Sequence, residues 1–240
     1  MRVSLADIPI YCLTCEDESF RGSNETSRKN HMESEWARVG VTGEFVYPIY
    51  GGISKNKSGA SGFFRMIERG LRAQTPGTPF TPFLMLEDDI SFAEGSLMVA
   101  DIPDDADILY VGLSNCSMND HQFHYDNYYT SMNGFPEVVR IKHMLATHGI
   151  MVCSALGAAA IQRSMIEIFL CDKPWDIPLA FLQPYYRVYA LRRPWVYQDS
   201  GYGGDEACTR ITLEGADKEL PENWVNGTWA TIRMGEQRTS

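Results

Sequence analysis

An apolar run that stops abruptly on three acids constrains this chain most: Phe83-Leu84-Met85-Leu86, then Glu87-Asp88-Asp89. Four consecutive apolar residues suit a strand buried on both faces, and such strands belong to parallel or mixed sheets covered by helices. Open α/β sheets bind ligands outside the carboxyl ends of their strands. The triplet therefore reads either as a ligand site or as an ordinary acidic loop after a strand. Side chains alternate along a strand, so Glu87 and Asp89 are expected on one side and Asp88 on the other. Oxygen donors with no His nearby in sequence suit a hard cation, Mn²⁺ or Mg²⁺. Such an ion can bridge a diphosphate and stabilise charge on a leaving nucleotide.

The rest of the chain alternates strand and helix signals. Ile8 to Leu13, Glu44 to Ile49, Ile108 to Leu113, Gly149 to Cys153, Arg187 to Leu191 and Trp195 to Gln198 read as further strands. Lys29 to Val39 and Gly62 to Gln74 read as helices, the second from Phe63, Met66, Ile67 and Leu71 at helical spacing. Ser54 to Ser61 reads as a small-residue loop. Ser154 caps a helix through Leu170, and Asp176 begins a short helix with Pro178 in its first turn. The acidic stretch Asp101 to Asp107 precedes its strand and reads as a solvated turn. This pattern predicts an α/β fold with a Rossmann-like mixed central sheet flanked by helices.

Composition narrows the partners. The 44% hydrophobic content of 240 residues supports one large domain, or one domain with a tail. Thirty-one acidic against twenty-one basic residues give a net charge of −10, which argues against nucleic acid but not against a nucleotide held through a metal. No run approaches the roughly 20 apolar residues that span a bilayer. Met1 to Ile10 lacks the apolar core of a signal peptide, so a cytoplasmic protein is expected and the three Asn-x-Ser/Thr sequons are read as chance. Cys12-Leu13-Thr14-Cys15 has redox or zinc spacing but no second pair, and reads as two thiols on a buried strand. His121 and His124 sit among Tyr125, Tyr128 and Tyr129, either as a metal pair or in a loop over a sugar site.

Taken in order, these segments resemble glycosyltransferase family 25, which includes bacterial lipopolysaccharide and collagen galactosyltransferases. The resemblance runs from Ile8 to Glu206. It rests on Ile8-Pro9-Ile10-Tyr11-Cys12-Leu13-Thr14 with Arg21, Glu44 to Gly51, Gly59-Ala60-Ser61, Leu86-Glu87-Asp88-Asp89, Asp104 to Gly112, His148 to Ala160, Val188-Tyr189-Ala190-Leu191 with Pro194 and Gln198, and Gly203-Gly204-Asp205-Glu206. The chain departs from the family in its Cys-containing first strand and in lacking a Cys and a Ser-His pair before the helix at Gly62. The resemblance implies a GT-A-like domain over residues 1–206, with 207–240 as a tail. It also implies a UDP-sugar donor, a divalent cation and inversion at the anomeric carbon.

Residue by residue, it places Glu87 and Asp89 as metal ligands and puts Leu13, Thr14, Arg21 and Asp88 on the nucleotide side. Inversion needs a carboxylate that takes the proton of the acceptor hydroxyl, the acceptor being a glycan or glycoprotein. Asp205, in a Gly-rich loop, is the first candidate, either as this base or as a further metal ligand. Asp176 is the second, with helix capping as its plain alternative. Trp175, Trp195 and Tyr202 are candidates for stacking on an acceptor sugar, or simply core. Two other classes share these features: a nucleotidyltransferase, for which Gly51-Gly52 with Lys55 and Lys57 makes a poor triphosphate loop, and a catalytically silent sugar- or nucleotide-binding module.

Overall fold

The structure is a computed structural model describing residues 1–15, 25–94, 98–114, 128–145, 147–202 and 212–213. Its centre is one mixed sheet of eight strands. In chain order these are β2 (Ile10–Leu13), β3 (Glu44–Val46), β4 (Phe83–Glu87), β7 (Ile108–Tyr110), β8 (Tyr128–Met132), β9 (Phe135–Lys142), β10 (Gly149–Val152) and β11 (Val188–Leu191). Across the sheet they run β3-β2-β4-β10-β7-β11-β9-β8. β2 is parallel to both β3 and β4, while β10 is antiparallel to β4 and β7. Two small sheets pair β1 (Arg2–Ser4) with β6 (Val99–Asp101), and β5 (Ile90–Phe92) with β12 (Val196–Gln198).

Strand alternation divides the apolar residues between two layers. Tyr11, Leu13, Phe83, Met85, Ile108, Tyr110, Ile150, Val152, Val188 and Ala190 face one layer. It is closed by α2 (Lys55–Arg72), α3 (Ala155–Cys171) and α4 (Asp176–Leu182). Ile10, Cys12, Leu84, Leu86, Leu109, Met151, Tyr189 and Leu191 face the other, beneath α1 (Glu25–Val39) and the two small sheets. Burial on both faces is why these strands read as apolar runs with no polar alternation. Among the described residues no helix is long and apolar enough to cross a membrane.

Several expected boundaries move. α2 begins at Lys55, because Ser54 Oγ accepts from Lys57 N at 3.2 Å and caps the helix. The expected loop Ser54 to Ser61 is therefore mostly helix, and Lys55 and Lys57 lie in its first turn. α1 begins at Glu25 rather than Lys29. The hairpin of β8 and β9 was not expected, although Asn133-Gly134 at its turn, with Gly134 at φ +82°, is a hairpin signal. Asp107 is buried rather than solvated: it accepts from Ser154 Oγ at 2.6 Å and from Arg187 N at 3.1 Å, tying the start of β7 to α3 and β11. Ser154 caps α3 as expected, accepting from Gly157 N at 3.0 Å. Of the tail, Leu213 is buried in the first apolar layer, and its N–H donates to the Arg192 carbonyl, just past β11, at 2.8 Å.

Candidate active site

The carboxyl ends of β2, β3 and β4 meet at one edge of the sheet. β10 runs against β4, so its leading residues join them there: the Glu87 N–H donates to the His148 carbonyl at 3.3 Å. β4 stops at Glu87, and Asp88 and Asp89 form the turn into β5. Strand alternation ends with the strand, so the expected split of Glu87 and Asp89 from Asp88 does not hold at Asp89. Asp88 and Asp89 instead share one cation. Arg28, on the first turns of α1, donates from Nη1 to Asp88 Oδ1 at 3.0 Å and lies 3.9 Å from Asp89 Oδ2. Asp88 accepts on its other oxygen from Thr14 Oγ1, at 2.8 Å, just beyond β2. Asp88 is 2% exposed and Asp89 6%.

Glu87 is half-buried and belongs to a different set of contacts. Thr147 Oγ1 donates to Glu87 Oε1 at 2.5 Å and accepts from Trp175 Nε1 at 2.9 Å. α2 can come close to this edge because it carries glycines where it touches it. A Cβ on Gly62 would lie 2.2 Å from Leu13 Cδ1, and one on Gly59 would lie 2.4 Å from the Trp175 ring.

Three carboxylates bring negative charge to this edge. The field reaches Cys12, whose thiol is pushed well up by burial first and then by Asp88, Asp89 and Glu87. A thiol so buried and so hard to ionise is a core residue, which removes the redox reading of Cys12. His148, buried beside the edge, is held neutral, its pKa pushed down by burial to about 4.

Among the described residues no three His, Cys, Asp or Glu side chains come together as a metal cage. The donor chemistry still suits a small hard cation. Mg²⁺ and Mn²⁺ are commonly held by one or two carboxylates, with water and substrate phosphates completing the shell. Glu87 and Asp89, the pair expected from the sequence, would supply such ligands, while Asp88 is engaged on both oxygens by Thr14 and Arg28.

The remaining sequence candidates fall at different places. Leu13 and Thr14 lie at this edge. Asp176 opens α4 directly after Trp175 and is part of the helix, whose N-cap position is Trp175; the capping reading of Asp176 does not hold. Trp195 is buried in the core beside Val196 and Phe92, which removes it as a stacking residue. Tyr202 stacks on the His31 ring, with centroids 3.8 Å apart and planes at 20°. Arg21, His121, His124 and Asp205 lie outside the described residues. The segment leading to Asp205 is fixed at its start: the Asp199 N–H donates to the Asp89 carbonyl at 2.7 Å, and Asp199 Oδ2 accepts from Ser91 Oγ at 2.8 Å.

Arg28, Thr147 and His148 were not singled out as site residues in the sequence. The Arg28–Asp88 pair spans 60 residues, and nothing local to Arg28 marks it. Thr147 stands two residues before an apolar strand, and Thr14 stands immediately after one. A polar residue at a strand end facing the acidic run is the signal that was available. No protein-family model matches the chain, and no curated protein matches it.

Proposed function

We propose that the chain is an inverting glycosyltransferase of GT-A type, moving a hexose from a UDP-sugar to a hydroxyl of a glycan or glycoprotein. The observation that carries this reading is the acidic edge itself. Three consecutive carboxylates stand where parallel strands end in a helix-flanked mixed sheet, and side chains from separate elements hold two of them in place.

In this reading Glu87 and Asp89 hold Mn²⁺ or Mg²⁺. Such an ion, when bound, neutralises charge developing on the diphosphate leaving group. Thr14 and Leu13 border the nucleotide, and Arg21 is assigned to assist with its base or phosphates. Asp88, neutralised by Arg28 and bonded to Thr14, fixes the turn that presents its two neighbours rather than touching the donor.

The base is Asp205 or Asp176. Asp205 follows by six residues the point where Asp199 is anchored to the Asp89 carbonyl, so its chain can stray at most about 20 Å from that anchor. Asp176 is covalently next to Trp175, which belongs to the Glu87 contacts. Either would take the acceptor proton opposite the leaving nucleotide.

Hydrolysis of a panel of UDP-sugars with and without Mn²⁺ tests the proposal. Mn²⁺-dependent release of UDP from at least one sugar is expected. Release of pyrophosphate from UTP and a hexose 1-phosphate, with no UDP-sugar hydrolysed, would instead make the chain a nucleotidyltransferase. Binding of UDP without turnover on any donor would make it a silent module.

A further inference from the structure

We propose that Thr147 and Trp175 are positioning residues for Glu87, presetting its carboxylate as the ligand of a divalent cation. This rests on the reading of Glu87 as a cation ligand. The argument comes from the direction of two hydrogen bonds. An indole N–H can only donate, and a threonine hydroxyl has a single proton. Trp175 Nε1 donates to Thr147 Oγ1 at 2.9 Å, so the proton of Thr147 is left for Glu87 Oε1, 2.5 Å away. The relay therefore runs one way, from indole to hydroxyl to carboxylate, and it ends on an acceptor. It holds Glu87 Oε1 in one place, so the carboxylate is oriented before a cation arrives.

Both ends of the relay are anchored. Thr147 is buried, and its neighbour His148 accepts from the Glu87 backbone at 3.3 Å, so side chain and backbone of Glu87 are gripped by consecutive residues. The Trp175 ring rests on Gly59, where no side chain would fit, and its centroid lies 6.3 Å from that of Phe63. Packing of α2 thus fixes the indole, the indole fixes the hydroxyl rotor, and the rotor fixes one carboxylate oxygen. Residues that orient a ligating carboxylate in this way typically change metal affinity by about 10–100-fold when removed.

The test is Mn²⁺ affinity by calorimetry on the full chain, with circular dichroism confirming the fold of each variant. Glu87→Gln, Thr147→Val, Thr147→Ser and Trp175→Phe are compared with the parent, and UDP affinity is measured without metal. Thr147→Val is expected to weaken Mn²⁺ binding about tenfold. Thr147→Ser, which keeps the hydroxyl, restores it, and metal-free UDP affinity does not change. Trp175→Phe keeps a ring on Gly59 but loses the donor; it weakens Mn²⁺ binding less, and it carries the test if Thr147→Val fails to fold. If Glu87→Gln weakens Mn²⁺ binding while Thr147→Val and Trp175→Phe bind like the parent, the positioning role is overturned and Glu87 remains a ligand. If Glu87→Gln also binds like the parent, both fall.

Discussion

Arg28 Nη1 and Asp88 Oδ1 are 3.0 Å apart, with both side chains almost wholly removed from water. A buried ion pair is weak evidence for net stabilisation, since desolvation offsets much of the attraction. Breaking one is another matter. Arg28→Ala would leave Asp88 and Asp89 buried beside each other without their shared cation. A loss of about 3–5 kcal/mol in urea unfolding is expected. A loss under about 1 kcal/mol would mean that water or another group already compensates the two acids.

Acid should loosen the fold through two histidines. Burial pushes His148 down to about 4, and burial with Lys142 alongside does the same for His143. In the unfolded chain each imidazole titrates near about 6.5. Between those values the unfolded chain binds protons that the folded chain refuses, so stability falls as pH falls from about 6.5 to about 4. Each histidine contributes up to about 3 kcal/mol over that window. Urea midpoints near neutrality and near about pH 4.5 check the sign; a higher midpoint in acid would contradict it.

Gly157 lies where the first turn of α3 crosses β7. A Cβ there would sit 2.1 Å from the Asp107 carbonyl oxygen, which is itself held by the Cys153 N–H at 2.9 Å. The obstacle is backbone, not a flexible side-chain tip. Gly157→Ala should cost about 1–3 kcal/mol or more in thermal or urea unfolding. An unchanged midpoint would show that α3 can slide.

The thiols should divide by environment. Cys12 is fully buried with its ionisation suppressed, whereas Cys171 is exposed at the end of α3. Brief iodoacetamide treatment of folded protein, read by mass spectrometry, should label Cys171 and spare Cys12 until denaturant is added. Labelling of Cys12 without denaturant would contradict the core assignment.

Short-range patterns carried most of what could be read before the structure. The apolar run of β4 and its acidic stop, the cap at Ser154 and the helix at Asp176 are each set by a few neighbouring residues. What the sequence hid was contact across long separations. Asp107 reads as one more acid in a solvated turn until Ser154 and the Arg187 backbone, 47 and 80 residues on, are brought to it. Gly59 reads as loop because its small size serves the Trp175 ring, which is distant in sequence. The two partners of Asp88, and Thr147 behind Glu87, come from elements that only the sheet order brings to one edge. The strand alternation expected at Asp89 failed because β4 had already ended.

In the proposed function the Glu87–Asp89 edge binds a nucleotide diphosphate together with a divalent cation. Calorimetry of UDP with and without Mn²⁺, on the parent chain and on Asp89→Asn, tests it most directly. UDP should bind the parent more tightly when Mn²⁺ is present, and Asp89→Asn should lose that enhancement while its melting temperature stays close to the parent's. Equal UDP affinity with and without Mn²⁺ in the parent, or an undiminished enhancement in Asp89→Asn, would contradict it.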